Sequence, residues 1–248
     1  MKKYKNTIEF EVYGNYALFA DPVTRVGGEK TSYHIPTYEA LKGIVESVYW
    51  KPTIMWIVDA VRIMNPIQTE TKGIRPINYS GGNDLAYYTY LKNVRYQIRA
   101  HFEQNLNHPE LADDWNENKH HNIAKRMVQR GGRRDVFLGT RECQAFVEPC
   151  VFGEGSGYYD NMVGEIAYGF MYHGITYADE AILPEEKGKM TVNFWNPVMT
   201  VGGIIEFIRP EKCTQKRFIK EMEVRKFGKN QFSGLKEFDK KELEEVEN

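Results

Sequence analysis

The sequence predicts an α+β protein. Two segments carry apolar residues at helical spacing, and the segments between them alternate or run apolar as strands do. After Pro149 the texture shifts to short alternating runs rich in Gly, Tyr, Phe and Val, the pattern of a small antiparallel sheet.

In chain order, "TIEFEVY" at 7–13 sets Ile8, Phe10 and Val12 against Thr7, Glu9 and Glu11, the period of a half-buried strand. A glycine-punctuated loop follows to about Pro36. From Thr37 the residues Leu41, Ile44, Val45, Val48 and Tyr49 form one helical stripe, which Lys51-Pro52 ends. Tyr49 is expected in the last turn of that helix. "TIMWIVDAVRIM" at 53–64 is β-branched and apolar enough for a central strand. Residues 65–84, with Pro66, Pro76 and Gly81-Gly82, read as a long loop. "NVRYQIRAHFE" is the clearest strand, with Val94, Tyr96, Ile98, Ala100 and Phe102 on one face. A helix from about Trp115 to Arg130, ended by Gly131-Gly132, precedes one more strand over 136–148. Asp114 and Glu117 read as that helix's cap and reciprocal acid. The order β-α-β-β-α-β is the ferredoxin-like pattern. The division expected is 1–149, a small antiparallel β subdomain over 150–220, and a charged tail over 221–248. From about Lys212 the chain is expected to form one helix and then be disordered.

With 248 residues, 42% of them hydrophobic, the chain is long enough to bury a sizeable core. Its net charge is only −1, yet residues 235–248 hold six acidic and three basic side chains, which leaves +2 on residues 1–234. The basic residues are clustered: Lys119 to Arg134 holds six Lys or Arg and two His with no Asp or Glu. A local basic surface on a nearly neutral body points to a polyanion site rather than a general coating. No apolar run suits a bilayer span, "MKKYKNTIEF" lacks the apolar core of a signal peptide, and a cytoplasmic location with no membrane association is expected. Cys143, Cys150 and Cys213 are odd in number and form no C-x-x-C pair, so they read as ordinary reduced cysteines.

On the second helix, His120 falls on the stripe of Ile123, Ala124, Met127 and Val128, whereas His121 falls on the polar side. A core histidine is the simple reading of His120. Its neighbour Lys119 and the helix N-terminus both favour a neutral imidazole, which suits a general base. The proposed topology brings the end of the first helix beside the start of the second, so Tyr49 and Lys119-His120 are expected to converge. Such a trio suits RNA cleavage by its own 2′-hydroxyl, a reaction that needs a base, a cation and a proton donor and requires no metal. His101, Glu103, His108, Asp113 and Asp114 include metal-ligand types, but their spacing matches no zinc or two-metal motif, and no metal or other cofactor is expected. Arg126, Arg130, Arg133 and Arg134 lack acidic neighbours, which favours RNA contact over a solvated face. Backbone N–H groups freed by Gly131-Gly132 are expected to add donors for phosphate.

Three stretches carry a resemblance: "FEVYGNYALFADPVTRVGGEKTSYHIPTYEALKGIVESVYWKP", "NKHHNIAKRMVQRGGRRDVFLGTRECQAFVEP" and "TVNFWNPVMTVGG". They resemble the CRISPR-associated Cas-five proteins of subtype I-C, the Dvulg subtype. The resemblance implies a ferredoxin-like, RNA-recognition-motif-like domain followed by a small β domain. It also implies a metal-independent endoribonuclease that cuts the CRISPR precursor transcript at the 3′ base of the repeat hairpin. The protein would then retain the 5′ handle of the guide RNA beside the backbone and large subunits of the interference complex. The family's catalytic tyrosine, lysine and histidine map to Tyr49, Lys119 and His120. A non-catalytic RNA-binding subunit that caps the guide is the alternative.

Overall fold

The computed structural model describes residues 4–227. Twelve strands and two α-helices are formed among them. In chain order they are β1 (Ile8–Ala17), α1 (Tyr38–Val48), β2 (Ile54–Ile63), β3 (Thr69–Ile74), β4 (Ala86–Gln104), α2 (Glu117–Gln129), β5 (Val136–Phe137) and β6 (Gln144–Pro149). There follow β7 (Ile166–Ala167), β8 (Met171–Thr176), β9 (Lys189–Trp195), β10 (Val198–Met199), β11 (Ile204–Glu206) and β12 (Gln215–Glu221). The molecule is mixed α/β with antiparallel sheets. The main sheet has the order β11-β2-β4-β1-β6-β5, with β3 paired to the first half of β4.

Alternation in the sequence becomes burial in the sheet. Phe10 and Val12 of β1 lie opposite Ile98 and Tyr96 of β4, and all four are buried. Trp56 of β2 pairs with Phe102 of β4, and their rings meet edge to face at 5.2 Å. Leu41, Ile44, Val45 and Val48 of α1 and Ala124 and Val128 of α2 join this core. On the other face, Gln97 and Arg99 are covered by residues 152–154: Gly153 N–H donates to Gln97 Oε1 at 2.9 Å, and the Phe152 ring lies 4.3 Å from the Arg99 guanidinium. Buried Arg62 ties the next turn down through Glu154 O, Gly155 O and the Asp160 carboxylate, the last at 2.7 Å.

The sheet β12-β9-β8 packs beside α1. Tyr38 of α1 stacks on His173 of β8 at 4.3 Å, and buried Lys42 of α1 reaches Glu180 at 2.8 Å and Glu39 at 3.4 Å. β11 returns to the main sheet and pairs with β2, so the later part of the chain completes a sheet begun by the earlier part.

Several expectations are corrected. Residues 65–84 are not all loop, because β3 forms a hairpin arm on an extended β4; the polar alternation of "TETKGI" is that of an exposed edge strand. The stretch 136–148 is two strands, paired with each other across a turn that Cys143 N–H closes onto Thr140 O. The segment after Lys212 forms β12 on β9 rather than a helix. Phe227 ends the described chain against His108 at 5.1 Å, and the expected disorder of the remaining tail lies outside the described residues. Among the described residues no helix is long and apolar enough to cross a membrane.

Candidate functional site

α1 ends where α2 begins, and the two ends meet through side chains. Tyr49 is the C-cap of α1 rather than a member of its last turn: its backbone is extended (φ −157, ψ 128), and its N–H still donates to Val45 O. The adjacent Trp56 indole donates to Tyr49 O at 2.7 Å and holds that residue in place. The N-cap of α2 is Asn116, whose side-chain oxygen accepts from Lys119 N–H at 2.9 Å. Asp114 is therefore not the cap. Asn is as good a cap as Asp, and the helix starts three residues after Asp114.

Tyr49 Oη lies 2.8 Å from His120 Nδ1. His120 Nε2 lies 3.0 Å from the main-chain carbonyl of Asp114, which only accepts, so Nε2 carries the proton and donates. Burial holds the imidazole pKa below its ordinary value, and the charges of Lys119 and Lys51 act in the same direction against the pull of Asp114. His120 is thus neutral with its Nδ1 lone pair toward Tyr49, whose hydroxyl donates. The Tyr49 pKa is raised by burial and by the nearby Asp114 carboxylate, with Arg133 opposing. Both rings are covered, Tyr49 being 2% and His120 0% exposed, and Phe102 and Trp115 pack around the imidazole at 6.2 and 6.3 Å.

Lys119 forms the outer layer, its side chain 48% exposed and ion-paired with Asp114. The Asp114 carboxylate also accepts from Thr53 Oγ1 at 3.3 Å. Burial alone would raise its pKa, yet the hydrogen bond and charge of Lys119 hold it below the usual carboxylate range. His121 points elsewhere, donating from Nε2 to Thr7 O at 3.1 Å. Of the five metal-ligand types noted in the sequence, His101 bonds Asp59 at 2.9 Å and His108 bonds Glu110 at 3.0 Å. Among the described residues these groups form no cluster able to hold a metal ion.

The end of the basic run, Arg133 and Arg134, returns to the end of α1. Arg126 and Arg130 are exposed on α2 and at its C-cap, and Arg133 and Arg134 are exposed just beyond. Gly131 N–H donates to Val128 O at 3.0 Å and Gly132 N–H to Met127 O at 2.8 Å, both glycines having positive φ. Arg133 and Arg134 N–H groups donate to Ser47 O, and Arg133 also to Val48 O. These bonds satisfy orphan carbonyls at the end of α1. The expectation that amides beside Gly131-Gly132 are left for phosphate is therefore corrected, since acceptors within the chain take them. The Arg133 and Arg134 side chains are exposed, that of Arg134 donating to Glu46 O at 3.2 Å, and the negative end of α1 favours such cations. Arg133 comes close enough to Tyr49 to act on its pKa.

Sequence reasoning missed Asp114 as the partner of Lys119, and missed Trp50 and Lys51. Trp50 is 41% exposed between buried Tyr49 and exposed Lys51. The signal for these two was the aromatic-basic run "YWKP"; a carboxylate paired across a helix cap has no periodic signature.

Known proteins resemble this chain in sequence. The family model described as CRISPR-associated protein (Cas_Cas5) matches residues 7–206. A curated relative from Mannheimia succiniciproducens, "CRISPR pre-crRNA endoribonuclease Cas5d", is 27% identical over 169 residues, covering 59% of this chain and 68% of that protein. A protein of the same name from Thermus thermophilus is 27% identical over 152 residues, covering 57% and 63%. The chain thus spans about two thirds of the length of these two relatives. A solved structure described as "Crystal Structure of CRISPR-associated Protein" superimposes with a TM-score of 0.71 at 34% identity, covering 85% of this chain and 96% of the other. The family match runs through α1, Tyr49, the Lys119-His120 step and the basic run alike, and the chain belongs to the CRISPR-associated Cas5 family.

Proposed function

We propose that this protein is a CRISPR pre-crRNA endoribonuclease that cuts the precursor transcript at the 3′ base of its repeat hairpin. The observation that carries this is the hydrogen bond between Tyr49 and His120 with Lys119 beside it. Support also comes from the two relatives named for that activity. In this reading the substrate 2′-oxygen attacks the adjacent phosphorus, its proton passes to the Tyr49–His120 pair, and the bond to the 5′-oxygen breaks. The 5′-oxygen takes up a proton, so the products are a 2′,3′-cyclic phosphate and a 5′-hydroxyl. Lys119 meets the negative charge that grows on the phosphoryl oxygens. Access of RNA to the covered pair calls for a local rearrangement around it, as catalytic hydrogen bonds commonly rearrange between free and bound enzyme. No step calls for a metal.

Arg126, Arg130, Arg133 and Arg134 bind RNA phosphates in this proposal. The β2-β4-β1-β6 order, with α1 and α2 as the crossovers, supports a ferredoxin-like reading of that part of the chain. After cleavage the protein keeps the 5′ handle of the guide and sits with backbone and large subunits of the type I-C interference complex in the cytoplasm.

The test is a labelled repeat RNA incubated with the protein in EDTA, beside the same RNA with a 2′-deoxy sugar at the cut. One cut ending in a cyclic phosphate is expected, with the deoxy RNA bound but whole. Cleavage of the deoxy RNA would remove internal attack. Natural RNA bound tightly and left uncut would favour the non-catalytic guide-capping subunit.

A further inference from the structure

We propose that Asp114 is the positioning residue of this site, setting the tautomer of His120 through its main-chain carbonyl and the place of Lys119 through its carboxylate. The inference rests on the endoribonuclease reading above and adds a residue to it. Two different groups of one residue reach two adjacent side chains of α2. The carbonyl accepts from His120 Nε2 at 3.0 Å, and the carboxylate holds Lys119 and accepts from Thr53.

Each contact has a chemical consequence. With Nε2 bound to a carbonyl, the only lone pair of the neutral ring is on Nδ1, and it faces the Tyr49 hydroxyl. Without that acceptor either tautomer would be open to the ring, and one of them presents no base to Tyr49. The carboxylate acts on the same imidazole through space, Oδ2 lying 3.7 Å from Nε2. Its negative charge favours the protonated ring that forms when the base accepts a proton. The charged and titratable groups facing His120 are Asp114, Lys119, Lys51 and Tyr49, and Asp114 is the one that makes the ring more basic. Lys119 uses one of its three donors on Asp114 and has the others for phosphate. A tethered ammonium meets the transition state without first losing the freedom of a long side chain.

The segment that holds Asp114 is itself anchored. A 3-10 turn, Pro109–Asp114, leads into it, and Trp115 N–H donates to Ala112 O at 3.0 Å. Thr53, which touches the carboxylate, stands just before β2 and accepts from Asn105 N–H at 2.9 Å through its carbonyl. Asp114 is therefore held from both the turn and the main sheet.

The experiment compares wild-type protein with Asp114→Asn, Asp114→Glu and His120→Ala. It measures single-turnover cleavage against pH, binding of the 2′-deoxy repeat RNA, thermal melting, and the ring 15N shifts of His120. Asp114→Asn keeps the shape and the main chain, and its cleavage rate should fall roughly tenfold. The acid limb of its pH profile should move down by roughly half a pH unit or more, since the ring has lost a stabilising anion. Affinity for the deoxy RNA should stay within about twofold, and Asp114→Glu should recover part of the rate. The wild-type ring should read as the Nε2–H tautomer. A wild-type rate and an unmoved limb in Asp114→Asn, with His120→Ala inactive, would overturn the role of Asp114 and leave the nuclease site standing. So would a rate loss that only follows the melting temperature, or an Nδ1–H ring. Full activity in His120→Ala would instead overturn the site itself, and the role of Asp114 with it.

Discussion

Tyr49 and His120 are hydrogen-bonded at 2.8 Å although 71 positions separate them in the chain. That one contact joins the cap of α1 to the first turn of α2. It turns two residues that each look like ordinary core into a pair with a defined donor and acceptor.

If the pair is catalytic, chemistry and binding separate on mutation. His120→Ala should slow cleavage roughly 10²-fold or more, the usual scale for a lost acid–base group, while affinity for the 2′-deoxy RNA holds. Tyr49→Phe keeps the ring in the core and should lose rate in the same way. His121→Ala removes only the bond to Thr7 O and should cut RNA as the wild type does. Equal losses of rate, affinity and melting temperature across His120→Ala and Tyr49→Phe would mark them as core residues only.

RNA affinity should fall steeply with salt. Each phosphate neutralised by Arg126, Arg130, Arg133 or Arg134 contributes about −0.7 to −0.9 to the log–log slope. Arg133→Gln with Arg134→Gln should flatten that slope by about 1.4–1.8 if each side chain meets one phosphate. The backbone caps on α1 survive this change and only the exposed Arg134 bond to Glu46 O is lost, so melting should be little altered. An unchanged slope would return the two arginines to the solvent.

Stability should decline from mildly acid to neutral pH because of Glu46. Burial raises its carboxyl from 4.5 to about 7, with Glu180 and Glu39 adding to the shift and Lys42 opposing it. The folded protein therefore holds a proton that the unfolded chain releases between these values, and folding loses free energy as pH rises through that window. Allowing for the partial exposure of Glu46, Glu46→Gln should remove a loss of about 1–3 kcal/mol above pH 7. Urea unfolding at pH 5 and pH 8.5 checks this: similar pH dependence in wild type and variant would mean that Glu46 is not the group responsible.

What the amino-acid order determined by itself is local. Periodicity placed β1, α1, β2, the latter part of β4, and α2, because alternation and helical stripes are set by which side chains share a face. Clustered charge marked the basic run, and residue type with topology selected Tyr49, Lys119 and His120.

Tertiary structure decided who partners whom. Asp114 reads as a helix cap in one dimension, yet Asn116 takes that place, and the Asp114 carboxylate turns to Lys119 and Thr53. The amides beside Gly131 and Gly132 read as donors for phosphate, yet the end of α1 and the helix they terminate use them. β3 and β12 carry little apolar signal because each is held by main-chain hydrogen bonds to one neighbouring strand, β4 and β9, and has no buried face. The reason is common to all of these. A side chain's burial period is written along its own element, whereas every polar group must find its acceptor or counter-charge wherever the fold brings one near.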